Sequence, residues 1–396
     1  MNRMFEILIL VISLAALFAA LWIVVPAPHS FLWLVAVAVS EWSLWIVFPA
    51  ASIVSYELYQ LLTRRGGTLS WISFMAASAA LIISLYPTVS ILAVANSNSV
   101  SLSLTRYFAG VNTRLASGKM PSPSSHVFAD IDGQALSLDV YRPTEVNANN
   151  GASVIVVHGG SWSGGRRSDF PQWNHRLAEM GFTVFDIDYR LAPQPNYRSA
   201  TADVKCTVGW VRQHAAEFDI STERVALMGR SAGGHLALLA AYSANDERLA
   251  SSCHETGSAQ QVRAVVSIYS PVELLWAYDN PANEMVINGP QTLANFLGGN
   301  PHVSHEIRER FILASPTSHV TAATPPTLII HGAHDQLVRS ENAQFLDQKL
   351  SKANVPHQSL LIPYAQHGFD YNINGWGSQV MEKMLLDFLA ANTKEG

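Results

Sequence analysis

Residues 229–233 read Gly-Arg-Ser-Ala-Gly, set between an apolar run (Arg224 to Met228) and a helix-forming one (His235 to Ala241). A strand that passes at once into a helix, with a serine at the corner, constrains this chain more than any other stretch. Gly229 and Gly233 leave room for a turn too tight for side chains, and the turn pushes the Ser231 hydroxyl out beyond the sheet. Gly-x-Ser-x-Gly occurs often by chance in long chains. The strand before it and the helix after it set this one apart.

The chain has 396 residues, more than one average domain, and a composition shift divides it. The first hundred residues are almost free of charge, and the remainder has the make-up of a soluble α/β protein. The whole has 14% charged and 49% hydrophobic residues, with a mean hydropathy of +0.15. A net charge of −5 argues against a nucleic-acid partner, which needs a concentrated basic face. Two cysteines exclude a disulfide-dense scaffold and a four-cysteine zinc site. His302 and His305-Glu306 form the tightest of the histidine groups and lack the His-Glu-x-x-His order, so no metal or other cofactor is expected.

Three apolar segments, about Phe5–Val25, Phe31–Val54 and Trp71–Ala95, each reach the roughly 20 residues that cross a hydrocarbon core. Trp22, Trp33 and Trp71 lie near their ends, as interfacial belts require. Residues 1–96 are therefore expected to form a membrane anchor of three transmembrane helices, with the bilayer as partner. Arg3, Arg64 and Arg65 place the N-terminus inside and the remainder on the periplasmic or extracellular side, although Arg106, Arg114 and Lys119 oppose that bias. Glu41 falls near the middle of the second segment and calls for a partner such as Ser73 or Ser78. Residues 97–125 read as a linker rich in Ser, Asn and Pro.

From residue 126 to 396 short apolar strands alternate with amphipathic stretches, the pattern of a mostly parallel sheet flanked by helices. A hairpin is expected at Val127–Ile131 with Leu136–Tyr141, and later strands at Ser153–Val157, Thr183–Ile187, Arg224–Met228, Ala264–Ile268, Thr327–Ile330 and Gln358–Ile362. Ser231 needs a base and donors for an oxyanion. The stretch His158-Gly159-Gly160-Ser161-Trp162 follows a strand, where its amides and that of Ala232 can supply those donors. His158 is expected to anchor that turn. Acid and base should follow the serine in that order. Asp335 lies past the strand Thr327–Ile330, and His367 past Gln358–Ile362. Ser231 is then the nucleophile, His367 the general base and acid, and Asp335 the group that orients the imidazole. His331, His334 and His235 are the rival histidines.

Together, His158-Gly-Gly-Ser-Trp162, Asp188-Tyr-Arg-Leu-Ala-Pro193, Gly229-Arg-Ser-Ala-Gly-Gly-His235, His331-Gly-Ala-His-Asp335 and His367-Gly-Phe369 resemble the α/β-hydrolase superfamily. The nearest branch is that of carboxylesterases and acetyl or feruloyl esterases. Arg230 stands where the hormone-sensitive-lipase-like group usually carries an acid, and Ser161 where many of that group carry a third glycine. Both favour the feruloyl-esterase-like branch. Membrane helices ahead of such a domain are also similar to prenylcysteine methylesterases. The resemblance implies hydrolysis of a small or lipid-like carboxylic ester through an acyl-enzyme. Amide cleavage, lipase action on a membrane-derived substrate and a non-catalytic binding role are the alternatives. It also implies a cap-like insertion at about 270–324 and a substrate pocket at Ser161, Trp162, Arg230 and Phe369. By family topology Cys206 and Cys253 lie on one face of the sheet, and a disulfide and two free thiols both remain open.

Overall fold

The computed structural model describes residues 3–109, 121–143, 149–191, 193–251, 253 and 261–394. Apolar helices come first: α1 (Arg3–Leu21), α2 (Ser30–Glu41), α3 (Leu44–Leu62) and α4 (Thr68–Ser97). α4 packs against both α1 and α3, where Ala20, Ala50 and Ala80 let the backbones approach closely. α1 and α4 are each long and apolar enough to cross a membrane, whereas α2 and α3 pass that test only as a pair.

The second expected span is broken. α2 and α3 meet at a 75° bend around Trp42-Ser43. Glu41 is buried at the bend against the C-terminal domain and makes no hydrogen bond to Ser73 or Ser78. Its carboxylate lies so close to Gly375 that a Cβ there would stand 2.2 Å from Glu41 Oε2. Asn372 Nδ2 donates to the Glu41 carbonyl at 3.4 Å, and Leu44 N donates to Tyr107 Oη at 3.2 Å. The expected linker also holds structure, because α5 (Leu104–Phe108) buries Tyr107 against Trp376 with ring centroids 4.4 Å apart. The remaining linker positions 110–120, with Arg114 and Lys119, lie outside the described residues.

β1 (Ser124–Ile131) and β2 (Gln134–Tyr141) form the expected antiparallel hairpin, β1 starting three residues earlier. Then come β3 (Ser153–Val157), α6 (Pro171–Glu179), β4 (Thr183–Ile187), α7 (Tyr197–Gln213) and α8 (Ala215–Phe218). β5 (Val225–Arg230), α9 (Ala232–Tyr242) and β6 (Ala264–Ile268) follow. Three short helices, α10 (Leu274–Asp279), α11 (Gly289–Leu297) and α12 (His305–Ala314), separate β6 from β7 (Thr327–Gly332). The chain closes with α13 (Glu341–Lys352), β8 (His357–Ile362) and α14 (Trp376–Asn392).

The strands join in the order β1-β2-β4-β3-β5-β6-β7-β8, and from β4 to β8 every neighbouring pair is parallel. Central strands are buried throughout, as both faces of a parallel sheet must be covered. Alternation divides them between two cores. Ile155, Val157, Leu227 and Val265 face α7 and α9, while Val154, Val156, Ala226 and Val266 face α6 and α14. The second core continues into Leu44, Ile91 and Ala95 of the N-terminal helices. The fold is thus a mostly parallel α/β sheet with three short helices between β6 and β7.

Cys206 on α7 is disulfide-bonded to Cys253, their Cα atoms 5.4 Å apart and 47 residues apart in sequence. Closing a loop of that size stabilises a chain by about 4 kcal/mol in the chain-entropy description. Denaturant titration with and without reductant should therefore differ by roughly 2–4 kcal/mol. Superimposable curves would contradict a structural bridge.

Candidate active site

β5 ends at Arg230 and α9 begins at Ala232, so Ser231 alone makes the corner, at φ 53° and ψ −124°. That conformation is strained for a residue with a side chain and persists only where its surroundings force it. A Cβ on Gly229 would stand 2.3 Å from Gly233 O, and one on Gly233 would stand 2.2 Å from both Val157 O and His158 O. These are backbone atoms that cannot yield. Ser231 N donates to Ile268 O at 2.9 Å, and Ser231 O accepts from His235 N at 3.0 Å, fixing the corner to β6 and α9.

The loop after β3 closes over this corner. Gly159 runs so near that an added Cβ would lie 3.3 Å from Ser231 Cβ. Gly160 (φ 115°), Ser161 (φ 54°) and Trp162 (φ 58°) are all left-handed, and Ser163 N and Gly164 N both turn back to Gly160 O. His158 anchors this turn, its Nδ1 donating to Gly159 O at 2.6 Å and its ring stacked on Tyr189. Burial pushes its pKa down, so it stays neutral. Ala232 N–H belongs to the first turn of α9, where amides have no intrahelical acceptor.

Asp335 follows β7 and His367 follows β8, and the structure brings them together. His367 Nδ1 donates to Asp335 Oδ2 at 2.7 Å. Asp335 Oδ1 accepts from Leu337 N at 2.8 Å and Val338 N at 2.9 Å. Burial alone would raise the carboxyl's pKa, but the charge of His367 and the hydrogen bonds from His331 and His367 outweigh it and hold it well below the usual range. The two loops are laced by Ala333 N to Ile362 O at 2.9 Å and His334 N to Ala365 O at 3.0 Å.

The rival histidines have other partners. His331 Nε2 lies 2.9 Å from Val338 O and 3.3 Å from Asp335 Oδ2, bracing the acid from behind. His334 Nδ1 donates to Ile23 O at 3.2 Å. His235 is sealed inside: Nε2 donates to Ala314 O at 2.8 Å and Nδ1 accepts from Trp162 Nε1 at 3.2 Å. Burial lowers its pKa to about 4, which keeps it neutral.

A cleft of about 70 Å³ lies beside Ser231. Ser161, Trp162 and Ala232 form one wall, Ile287 and Leu293 from the insertion a second, and Leu337 and Val338 a third. Trp162 also stacks on Phe296 at 4.3 Å, so one ring joins the β3 loop to the insertion. Arg230 and Phe369, expected in the substrate pocket, are not there. Arg230 is buried behind the corner, its Nε donating to Asp370 Oδ2 at 2.6 Å and its guanidinium over the Phe170 ring. Phe369 is packed into the second core.

Tyr269 was not picked out by sequence. Its ring lies 4.4 Å from that of His367, its φ is 42°, and its hydroxyl donates to Asp370 Oδ1 at 2.6 Å. The available signal was Arg230 itself, since a cation inside an elbow demands a buried anion. Among the described residues no group of three or more His, Cys, Asp or Glu side chains could hold a metal.

A family model described as BD-FAE matches residues 138–350, more than half of the chain. The chain is 31% identical over 249 residues to the probable carboxylic ester hydrolase LipM of Mycobacterium tuberculosis, spanning 60% of this chain and 54% of LipM. It is 32% identical over 246 residues to esterase LipC of the same organism, spanning 60% and 58%. The chain thus spans little more than half the length of those relatives. Among solved structures, Thermogutta terrifontis esterase 2 phosphonylated by sarin superimposes with a TM-score of 0.57 at 25% identity, over 69% of this chain and 96% of that one. The native form of that esterase gives 0.54 at 25% identity, over 69% and 93%.

The Arg230 ion pair generates a test. In Arg230→Met the Asp370 carboxylate is left buried and unpaired, which should destabilise the protein by about 3–5 kcal/mol. The KM for an ester should stay within twofold of wild type, measured on the folded fraction. A large rise in KM with unchanged stability would return Arg230 to the substrate pocket.

Proposed function

This chain belongs to the BD-FAE family and has the α/β-hydrolase fold, and from that premise we propose that it is a membrane-anchored serine hydrolase of carboxylic esters. The observation that carries the reading is the Asp335–His367 contact at 2.7 Å, on the loops after β7 and β8, in a sheet whose central strand ends at the Ser231 corner. In this mechanism His367 Nε2 takes the Ser231 proton as Oγ attacks the ester carbonyl. Asp335 holds the imidazole by Nδ1 and stabilises its cationic form. The tetrahedral oxyanion is met by the amides of Gly159, Gly160 and Ala232, and each such donor is typically worth about 3 kcal/mol of transition-state stabilisation. His367 then protonates the leaving alcohol. Water, deprotonated by the same histidine, cleaves the acyl-enzyme and restores the serine.

The small cleft supports a short acyl group. Trp162, Ile287 and Leu293 crowd the space beside Ser231 and leave little room for a long chain.

Several observations support the anchor. Leu8, Val11, Phe18, Trp45, Phe48, Met75, Ile82 and Val89 are all exposed large apolar side chains on these helices, the kind of surface that a bilayer or a partner covers. α1 and α4 are read as crossings, with the bent α2–α3 pair as one further span between them. Phe5 meets Tyr56 edge-on, so the start of α1 lies beside the last turns of α3. Arg3 then shares a side with Arg64 and Arg65, which the positive-inside rule makes cytoplasmic. The catalytic domain falls on the other side, where the Cys206–Cys253 disulfide is at home.

A p-nitrophenyl ester series tests the reading. Acetate and butyrate should be hydrolysed with kcat/KM at least tenfold above palmitate, and Ser231→Ala and His367→Ala should each lose at least a thousandfold in kcat. Full turnover by Ser231→Ala would overturn the reaction, and a palmitate preference would overturn the short acyl site.

A further inference from the structure

Asp335 and His367 sit on separate loops, and one buried polar cluster reaches both. Gln336, next to the acid, donates from Nε2 to Gln366 Oε1 at 3.0 Å, and Gln366 is the residue before the base. Gln336 Oε1 accepts from Ala27 N at 2.7 Å and from Asn283 Nδ2 at 2.9 Å. Asn283 Nδ2 also donates to Ala27 O at 2.7 Å. Ala27 belongs to the connection between α1 and α2, and Asn283 to the insertion that walls the cleft. Four separate segments therefore meet at one side-chain amide.

The other neighbour of the acid is held by the same helices. His334 Nδ1 donates to Ile23 O, and its ring stacks on Tyr86 of α4. Tyr86 Oη donates to Pro363 O at 3.3 Å, where β8 gives way to the loop of His367. The connection is suited to act as a fixed post, because Pro26 and Pro28 flank Ala27 and each locks its own φ while restricting the residue before it. Ala27 is fully buried, so its N–H and C=O depend on these partners.

We propose that Gln336 is a positioning residue that ties the Asp335 and His367 loops to each other and to the Ala27 connection, so that the docked N-terminal helices form part of the active-site scaffold. The proposal rests on the reading of Ser231, Asp335 and His367 as a triad. Acid and base approach from different loops, and their register sets the orientation of the imidazole. Displacements near 1 Å can cost on the order of a hundredfold in rate.

The test uses the full chain in proteoliposomes with p-nitrophenyl acetate. Gln336→Met keeps the length of the side chain and removes all three hydrogen bonds. Its kcat, normalised to the fraction that a fluorophosphonate labels at long times, should fall at least tenfold with KM within twofold. The rate of that labelling should fall in step. Gln336→Glu, which can still accept from Ala27 and Asn283 but cannot donate to Gln366 when ionised, should move the same way and serves if the first variant does not fold. Thr88→Val deletes the acceptor of Trp376 Nε1 elsewhere on the same interface and should leave kcat within twofold. Wild-type kcat in either Gln336 variant, or an equal loss in Thr88→Val, would overturn the coupling. Undiminished turnover in Ser231→Ala is a different result, and it would remove the triad reading on which the coupling stands.

Discussion

A serine forced into the left-handed region between β5 and α9 is the constraint around which the site is arranged. The corner exists because Gly229 and Gly233 lie within van der Waals reach of backbone that cannot move, including the carbonyls of Val157 and His158 at the end of β3. The loop after β3 must therefore pass directly over Ser231. The same crowding leaves Arg230 no outlet, so its charge is answered inside by Asp370, which also receives the Tyr269 hydroxyl. Tyr269 in turn packs against His367. One strained residue thus places the amide loop in front of it and a buried ion pair behind it.

The N-terminal helices are continuous with this arrangement. Their contacts with the α/β domain are polar as well as apolar, and they converge on the loops after β7 and β8. What hydropathy presents as one span turns through 75° just after Glu41, whose buried carboxylate lies beside Gly375. A bilayer helix with a free surface would have little reason to stop there.

The α/β sheet was legible because its evidence is local. Ser153–Val157, Thr183–Ile187 and Ala264–Ile268 appear with the bounds their β-branched runs predict; β5 and β7 extend two residues further at their carboxyl ends, and β5 starts one residue later. Asp335 and His367 could be singled out because each follows a strand after a short turn, and the structure places them in contact. What escaped depends on partners far away in sequence. Nothing near Glu41 announces residues 372–375, and nothing near Gln336 announces Ala27, which lies 309 positions away. Arg230 was misplaced for the same reason: a charge beside a nucleophile reads as a substrate contact until its anion is found. The insertion was expected as a length of chain, but its three short helices carry too little periodicity to be drawn individually.

The central claim is that Ser231 is the nucleophile of an acyl-transfer site. The most direct measurement is mass spectrometry of the intact native chain after reaction with a fluorophosphonate, followed by peptide mapping. One adduct per chain on the peptide containing Ser231, absent when Asp335 and His367 are both replaced, is the expected result. An adduct on another residue, or equal labelling without the acid and base, would contradict it.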